Sequence, residues 1–60
     1  MTEANAYAAH LKSWADEIAM TSGGRTCAKT LLDAAIKAWI DGKNVDDPVV
    51  RQELIAYATR

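Results

Sequence analysis

Apolar residues recur at helical spacing through the first third of the chain. Leu11, Trp14 and Ile18 follow one another at intervals of three and four residues, which places them on one face of a helix. Thr2 is suited to cap the start of this helix, and the Ser-Gly-Gly turn after it tolerates the backbone conformation in which helices end. The pattern therefore predicts a first helix over about residues 3–20.

Two further helices follow along the chain. A segment rich in Ala, Leu, Ile and Lys predicts a second helix over about residues 25–41, with Gly42 placed to end it. At positions 46–48 two aspartates precede a proline, an arrangement typical of a helix start. We therefore expect a third helix over about residues 47–58. Its inward positions are Val50, Leu54 and Tyr57.

The fold class follows from these elements. No segment alternates apolar and polar residues as a half-buried strand does. Three helices joined by short loops predict an all-α fold, a small three-helix domain that takes in residues 1–60 as one unit. Half of the 60 residues are hydrophobic, but many of these are alanines, which bury little surface. Because so short a chain has a thin core, dimerisation is a natural way to complete it.

Net charge and cysteine content indicate which partners and which cellular compartment to expect. Seven basic and eight acidic residues leave a net charge of -1, so no overall attraction draws the chain to nucleic acid or to an anionic membrane. No apolar run is long enough to span a bilayer. The single Cys27 cannot form an internal disulfide, and we expect it in the core on the apolar side of helix two. The expected location is the reducing cytoplasm.

The second predicted helix has a wide apolar arc, which covers roughly two-thirds of its circumference at about 100° per residue. Two interpretations are open: either both neighbouring helices contact this arc, or part of it faces a second subunit or a partner protein. The residues expected at such an interface are Ile36, Trp39 and Ile40. Trp39 would be the best candidate for a binding hot spot if it were exposed. The aromatic side chains are otherwise expected mainly in the core: Tyr7, Trp14, Trp39 and Tyr57.

Helix one carries a second candidate surface opposite its main apolar stripe. Ala9 and Ser13 lie there, with Met20 near the end of the helix, and such small residues allow a partner helix to approach closely. Exposed alanines are also simply good helix formers. Both interpretations stay open, and the three residues complete the predicted protein-binding set.

Catalytic chemistry finds little support in the residue types present. His10 is the only histidine and is expected on the polar side of helix one, whereas Cys27 is expected on the apolar side of helix two, so no nucleophile and base are paired. One histidine, one cysteine and scattered carboxylates offer no spacing suited to zinc or calcium. We therefore predict no enzymatic activity, no metal site and no cofactor.

The first two predicted helices and their glycine-containing turn also resemble, loosely, a helix-turn-helix DNA-binding unit. In that case the second helix would enter the major groove. The residues expected to contact DNA are Arg25, Thr26, Lys29 and Lys37. The negative net charge and the aspartates between these residues weigh against this alternative.

The leading hypothesis is a small helical protein–protein interaction module that regulates, adapts or inhibits a larger protein. We expect it to form a homodimer, and its character is typical of a bacterial or phage regulatory protein. The identity of the partner stays open. DNA binding through helix two is the alternative hypothesis.

Overall fold

Three helices make up the fold in the computed structural model, which describes residues 3–59. α1 spans Glu3–Thr21, α2 spans Ala28–Ile40 and α3 spans Pro48–Ala58. The predicted all-α class is confirmed for these residues, and the bounds of the first and third helices were predicted to within a residue. The predicted capping role of Thr2 lies outside the described residues.

The loop between α2 and α3 contains the expected residues that end one helix and start the next. Gly42 follows the last turn of α2 with φ of 83°, a left-handed conformation that glycine adopts without strain. The amides of Gly42 and Lys43 donate to the carbonyls of Trp39 and Ala38, at 3.0 and 2.9 Å, which satisfies the end of the helix. At the start of α3 the Asp47 carboxylate accepts a hydrogen bond from the Val49 amide at 2.9 Å.

The start of α2 differs from the prediction. The second helix begins at Ala28, three residues later than the predicted start at residue 25. Thr26 is held in an extended bridge with Thr59, and the two hydroxyl oxygens lie 2.9 Å apart. The Cys27 amide donates to the Ala58 carbonyl at 3.1 Å. These long-range hydrogen bonds keep the segment extended, and the Cys27 side chain is exposed at the N-cap of α2 rather than in the core.

α2 is the central helix and packs against both α1 and α3. One cluster of buried side chains joins Leu11 of α1 to Ala35 of α2 and to Val45 in the loop. A second cluster surrounds Leu31 and includes Ala58 near the end of α3. Trp14, Leu32 and Leu54 pack against both clusters. The contact with two neighbours accounts for most of the wide apolar arc of α2, as the first interpretation expected.

Arg51 ties α3 to the loop and to α1. Its Nε donates to the carbonyl of the buried Val45 at 3.0 Å, and its Nη2 forms a salt bridge with Asp46 at 2.9 Å. The guanidinium lies 5.1 Å from the ring centroid of Trp14, within cation–π range. One side chain on α3 therefore contacts residues on two other parts of the fold.

For the three helices within residues 3–59, crossing a membrane would require a long and largely apolar segment. None of the three combines the length and the apolar character that a crossing helix needs.

Candidate interaction surface

An open groove of about 630 Å³ lies along the exposed side of α2 and the adjoining edge of α3. We call it the α2–α3 groove. Its apolar lining comes from both helices: Ala34, Ile36, Ala38, Ile40, Leu54 and Tyr57. Its polar lining comes from α2 and the loop after it: Thr30, Asp33, Lys37, Asp41 and Lys43. An apolar lining within a charged rim is the composition expected of a surface that binds another polypeptide.

Two large apolar side chains stand exposed at opposite ends of this groove. Ile40 is the last residue of α2 and is 73% exposed, while Tyr57 is 74% exposed. The hydrogen bond between the Cys27 amide and the Ala58 carbonyl places the end of α3 beside the start of α2. Tyr57 therefore borders the half of the groove near the start of α2, and Ile40 borders the other half.

Charges of alternating sign run along the exposed side of α2. Lys29, Asp33, Lys37 and Asp41 follow one another at intervals of four residues, and all four side chains are exposed. Positions four apart are neighbours on a helix surface, so the three side chains on α2 and the C-cap Asp41 form a row that turns around the helix by about 40° at each step. We call it the charged row. Within residues 3–59, no salt bridge joins two members of this row. The row therefore offers both signs of charge to a binding partner.

The structure divides the residues predicted on helix two between two surfaces. Ile36 and Ile40 line the α2–α3 groove, with Ile36 half-buried. Trp39 is half-buried and does not line the groove. Its ring packs against Tyr7 of α1, with 4.9 Å between the ring centroids. The apolar arc thus serves both as core, toward α1, and as exposed surface, at Ile40.

The residues predicted on helix one lie apart from the groove. Ala9 and Ser13 are exposed on α1, and Met20 near its end is 79% exposed. None of them lines the α2–α3 groove. The two predicted protein-binding surfaces are therefore separate, and only the one on α2 coincides with a concave surface.

The four residues predicted to contact DNA are placed unequally. Arg25, Lys29 and Lys37 are exposed, but Arg25 lies in the turn before α2 rather than on the helix. Thr26 is only 3% exposed, and its hydroxyl group is hydrogen bonded with that of Thr59. Thr26 was expected on helix two among the residues that face DNA, but it lies before α2, and the bridge to Thr59 turns its side chain inward.

Tyr57 was predicted in the core, and that prediction was wrong. On a helical wheel Tyr57 shares a face with Val50 and Leu54. The bridge from Thr59 to Thr26 instead fixes the end of α3 with Ala58 inward, at 5% exposure, and leaves Tyr57 outside. No local sequence pattern reports this rotation, since it depends on a contact between residues 33 positions apart.

Residues 3–59 contain no group of three or more His, Cys, Asp or Glu side chains that could hold a metal ion. No model of a known protein family matches the chain, and comparisons with curated proteins and with solved structures find no match either.

Proposed function

We propose that this chain is a small, non-catalytic protein–protein interaction module and that the α2–α3 groove is its interface. In this role it regulates, adapts or inhibits a larger protein, in the cytoplasm. The observation that carries the proposal is the exposure of Ile40 and Tyr57, each close to three-quarters, at the two ends of one groove.

Burial of these side chains provides a driving force for association. A fully buried Ile or aromatic side chain contributes about 1.5–3 kcal/mol relative to the exposed state. Scattered apolar side chains on a surface need no special explanation. Ile40 and Tyr57 differ from such cases because they border the same concavity, and tyrosine is enriched among the residues that dominate binding energy.

The alternative of DNA binding has weaker support from the same surface. Lys29 and Lys37 are exposed on α2, but Asp33 lies between them in the charged row and Asp41 follows. A row of alternating charges attracts a polyanion far less than a basic stripe does. We therefore keep protein binding as the proposed function.

Site-specific photo-crosslinking tests the proposal. A photoreactive phenylalanine analogue replaces Tyr57 in the groove, or Val49 as the control, and the chain is irradiated in cells that express it. Val49 is a matched position because it lies on the same helix and is 64% exposed, yet it does not line the groove. We expect a discrete covalent adduct with another polypeptide from position 57 and none from position 49.

The mass of the adduct identifies the class of partner, since the chain itself contributes 6.5 kDa. A second variant that also carries Ile40→Asp should lose the adduct, because a charge at the far end of the groove opposes burial. Equal labelling from both positions, or no adduct from position 57, would rule out the groove as the interface.

A further inference from the structure

We infer that the occupant of the α2–α3 groove is a second copy of this chain, bound with the two α2 helices antiparallel about a two-fold axis. The axis passes over the exposed side of α2 at the level of Ala35, the middle of the charged row. This inference rests on the proposed function, since it takes the groove to be an interface; the dimer formed through the groove then contacts a larger protein through surfaces outside it.

Charge complementarity selects this arrangement. A two-fold axis at the level of Ala35 pairs positions that are equally distant from it along the helix. Lys29 then faces Asp41 of the other copy, and Asp33 faces Lys37 of the other copy. Asp33, Lys37 and Asp41 line the groove, and Lys29 lies beyond it at the start of α2. In this register each charge of the row is opposite a charge of the other sign on the second copy.

Other arrangements of the row lose this match. Two parallel α2 helices in register would set each residue against its own copy, so that lysine would face lysine and aspartate would face aspartate. Like charges placed together disfavour a partner. A partner with one predominant sign of charge would meet repulsion at alternate positions. An antiparallel second copy of α2 therefore pairs the alternating charges better than either of these partners does.

The apolar residues fit the same axis. Position 40 is as far from the axis as position 30, so Ile40 of one copy lies over Thr30 of the other. Thr30 lines the half of the groove that Tyr57 borders. The exposed Ile40 of each copy is thereby placed against the exposed Tyr57 of the other. This contact occurs twice in the dimer, so both side chains are covered in both copies.

The size of the chain is consistent with this use of the groove. Within the described part of the chain, only three side chains larger than alanine are fully buried: Leu11, Leu31 and Val45. An interface of standard size takes about 800 Å² from each partner, which is less than a fifth of the 4355 Å² of accessible surface. A second copy therefore adds substantially to a thin core without covering most of the molecule.

A charge-exchange experiment tests the inference. One variant carries Asp33→Lys and Asp41→Lys, which makes the charged row entirely basic; the other carries Lys29→Glu and Lys37→Glu, which makes it entirely acidic. Sedimentation equilibrium at low ionic strength measures association of each. We expect a wild-type dimer, an affinity at least about tenfold lower for either variant alone, and recovery in their equimolar mixture as a one-to-one heterodimer.

A milder pair of variants covers the case in which the charge changes unfold the helix. Ile40→Ser truncates an exposed groove residue, and Met20→Ser truncates an equally exposed residue outside the groove. Circular dichroism should show the same helicity for both as for the wild type. The dimer should be weakened about tenfold or more by Ile40→Ser and unchanged by Met20→Ser.

Each contrary outcome has a distinct meaning. The inference is overturned if the wild type is monomeric, or if both charge variants form homodimers with wild-type affinity. It is also overturned if two folded charge variants form no heterodimer when mixed, or if Ile40→Ser dimerises with wild-type affinity. If position 57 then crosslinks to a different protein, the proposed function survives and only the second copy is excluded as the occupant. If it crosslinks to nothing, both proposals are wrong.

Discussion

Replacing Arg51 by alanine gives a quantitative test of how the fold is held together. The change removes the hydrogen bond from Nε to the Val45 carbonyl, which is worth about 1 kcal/mol net. It also removes the cation–π contact with Trp14, worth about 0.5–1 kcal/mol. The salt bridge with Asp46 contributes less, about 0.3 kcal/mol, because the Asp46 side chain is 59% exposed and its charge is screened by water.

The sum is roughly 2 kcal/mol, out of a total stability of about 3–9 kcal/mol for a domain of this length. Urea unfolding followed by circular dichroism measures the loss. With a denaturant slope of about 1 kcal/mol/M for so small a domain, the midpoint should fall by about 2 M in Arg51→Ala. All variants are compared at one protein concentration, since association adds to apparent stability.

Asp46→Asn separates the ion pair from the other contacts of Arg51. It should lower the midpoint by less than about 0.5 M, because only the exposed salt bridge is lost. Arg51→Lys should fall between the two, since lysine keeps the charge but lacks the planar fork. If Arg51→Ala were no worse than Asp46→Asn, or if its effect disappeared in high salt, the packing and hydrogen-bond account of Arg51 would be refuted.

Three further substitutions probe the core, a helix cap and a turn. Leu31→Ala empties a fully buried site and should cost about 2–5 kcal/mol in urea unfolding; a loss below 1 kcal/mol would contradict the burial. Asp47→Ala should cost about 1 kcal/mol through the lost Val49 cap, whereas Asp47→Asn should retain most of it. Gly42→Ala meets no atom within 4 Å but places a side chain at φ of 83°, so thermal unfolding should show a loss of about 1–2 kcal/mol; an unchanged melting temperature would show that the turn adopts another conformation.

The self-association inferred for the groove links stability to function. If two copies cover Ile40 and Tyr57, the melting temperature of the wild type should rise with protein concentration, because a dimer is favoured by mass action. The Ile40→Ser variant should show a weaker concentration dependence, while Met20→Ser should behave as the wild type. A concentration-independent melting temperature in the wild type would agree with a monomer and contradict the inferred dimer.

Local chemistry determined most of the helical content, and the sequence alone was sufficient to predict it. The Asp47 cap, the proline after it and the glycine that ends α2 act on backbone groups within a few residues of themselves. Helical spacing likewise reports only which residues share a side of one helix. The all-α class and the bounds of α1 and α3 follow from such short-range interactions, and so does the presence of Ile36 and Ile40 on an apolar arc.

The tertiary structure decided which parts of those apolar faces stay exposed. The bridge between Thr26 and Thr59 joins residues 33 positions apart; it delays the start of α2 and turns Tyr57 outward. The packing of Tyr7 against Trp39 draws one side of the arc toward α1 and leaves Ile40 free of it. Pattern along the chain cannot report these outcomes, because each depends on how one helix is rotated against another by contacts between distant residues.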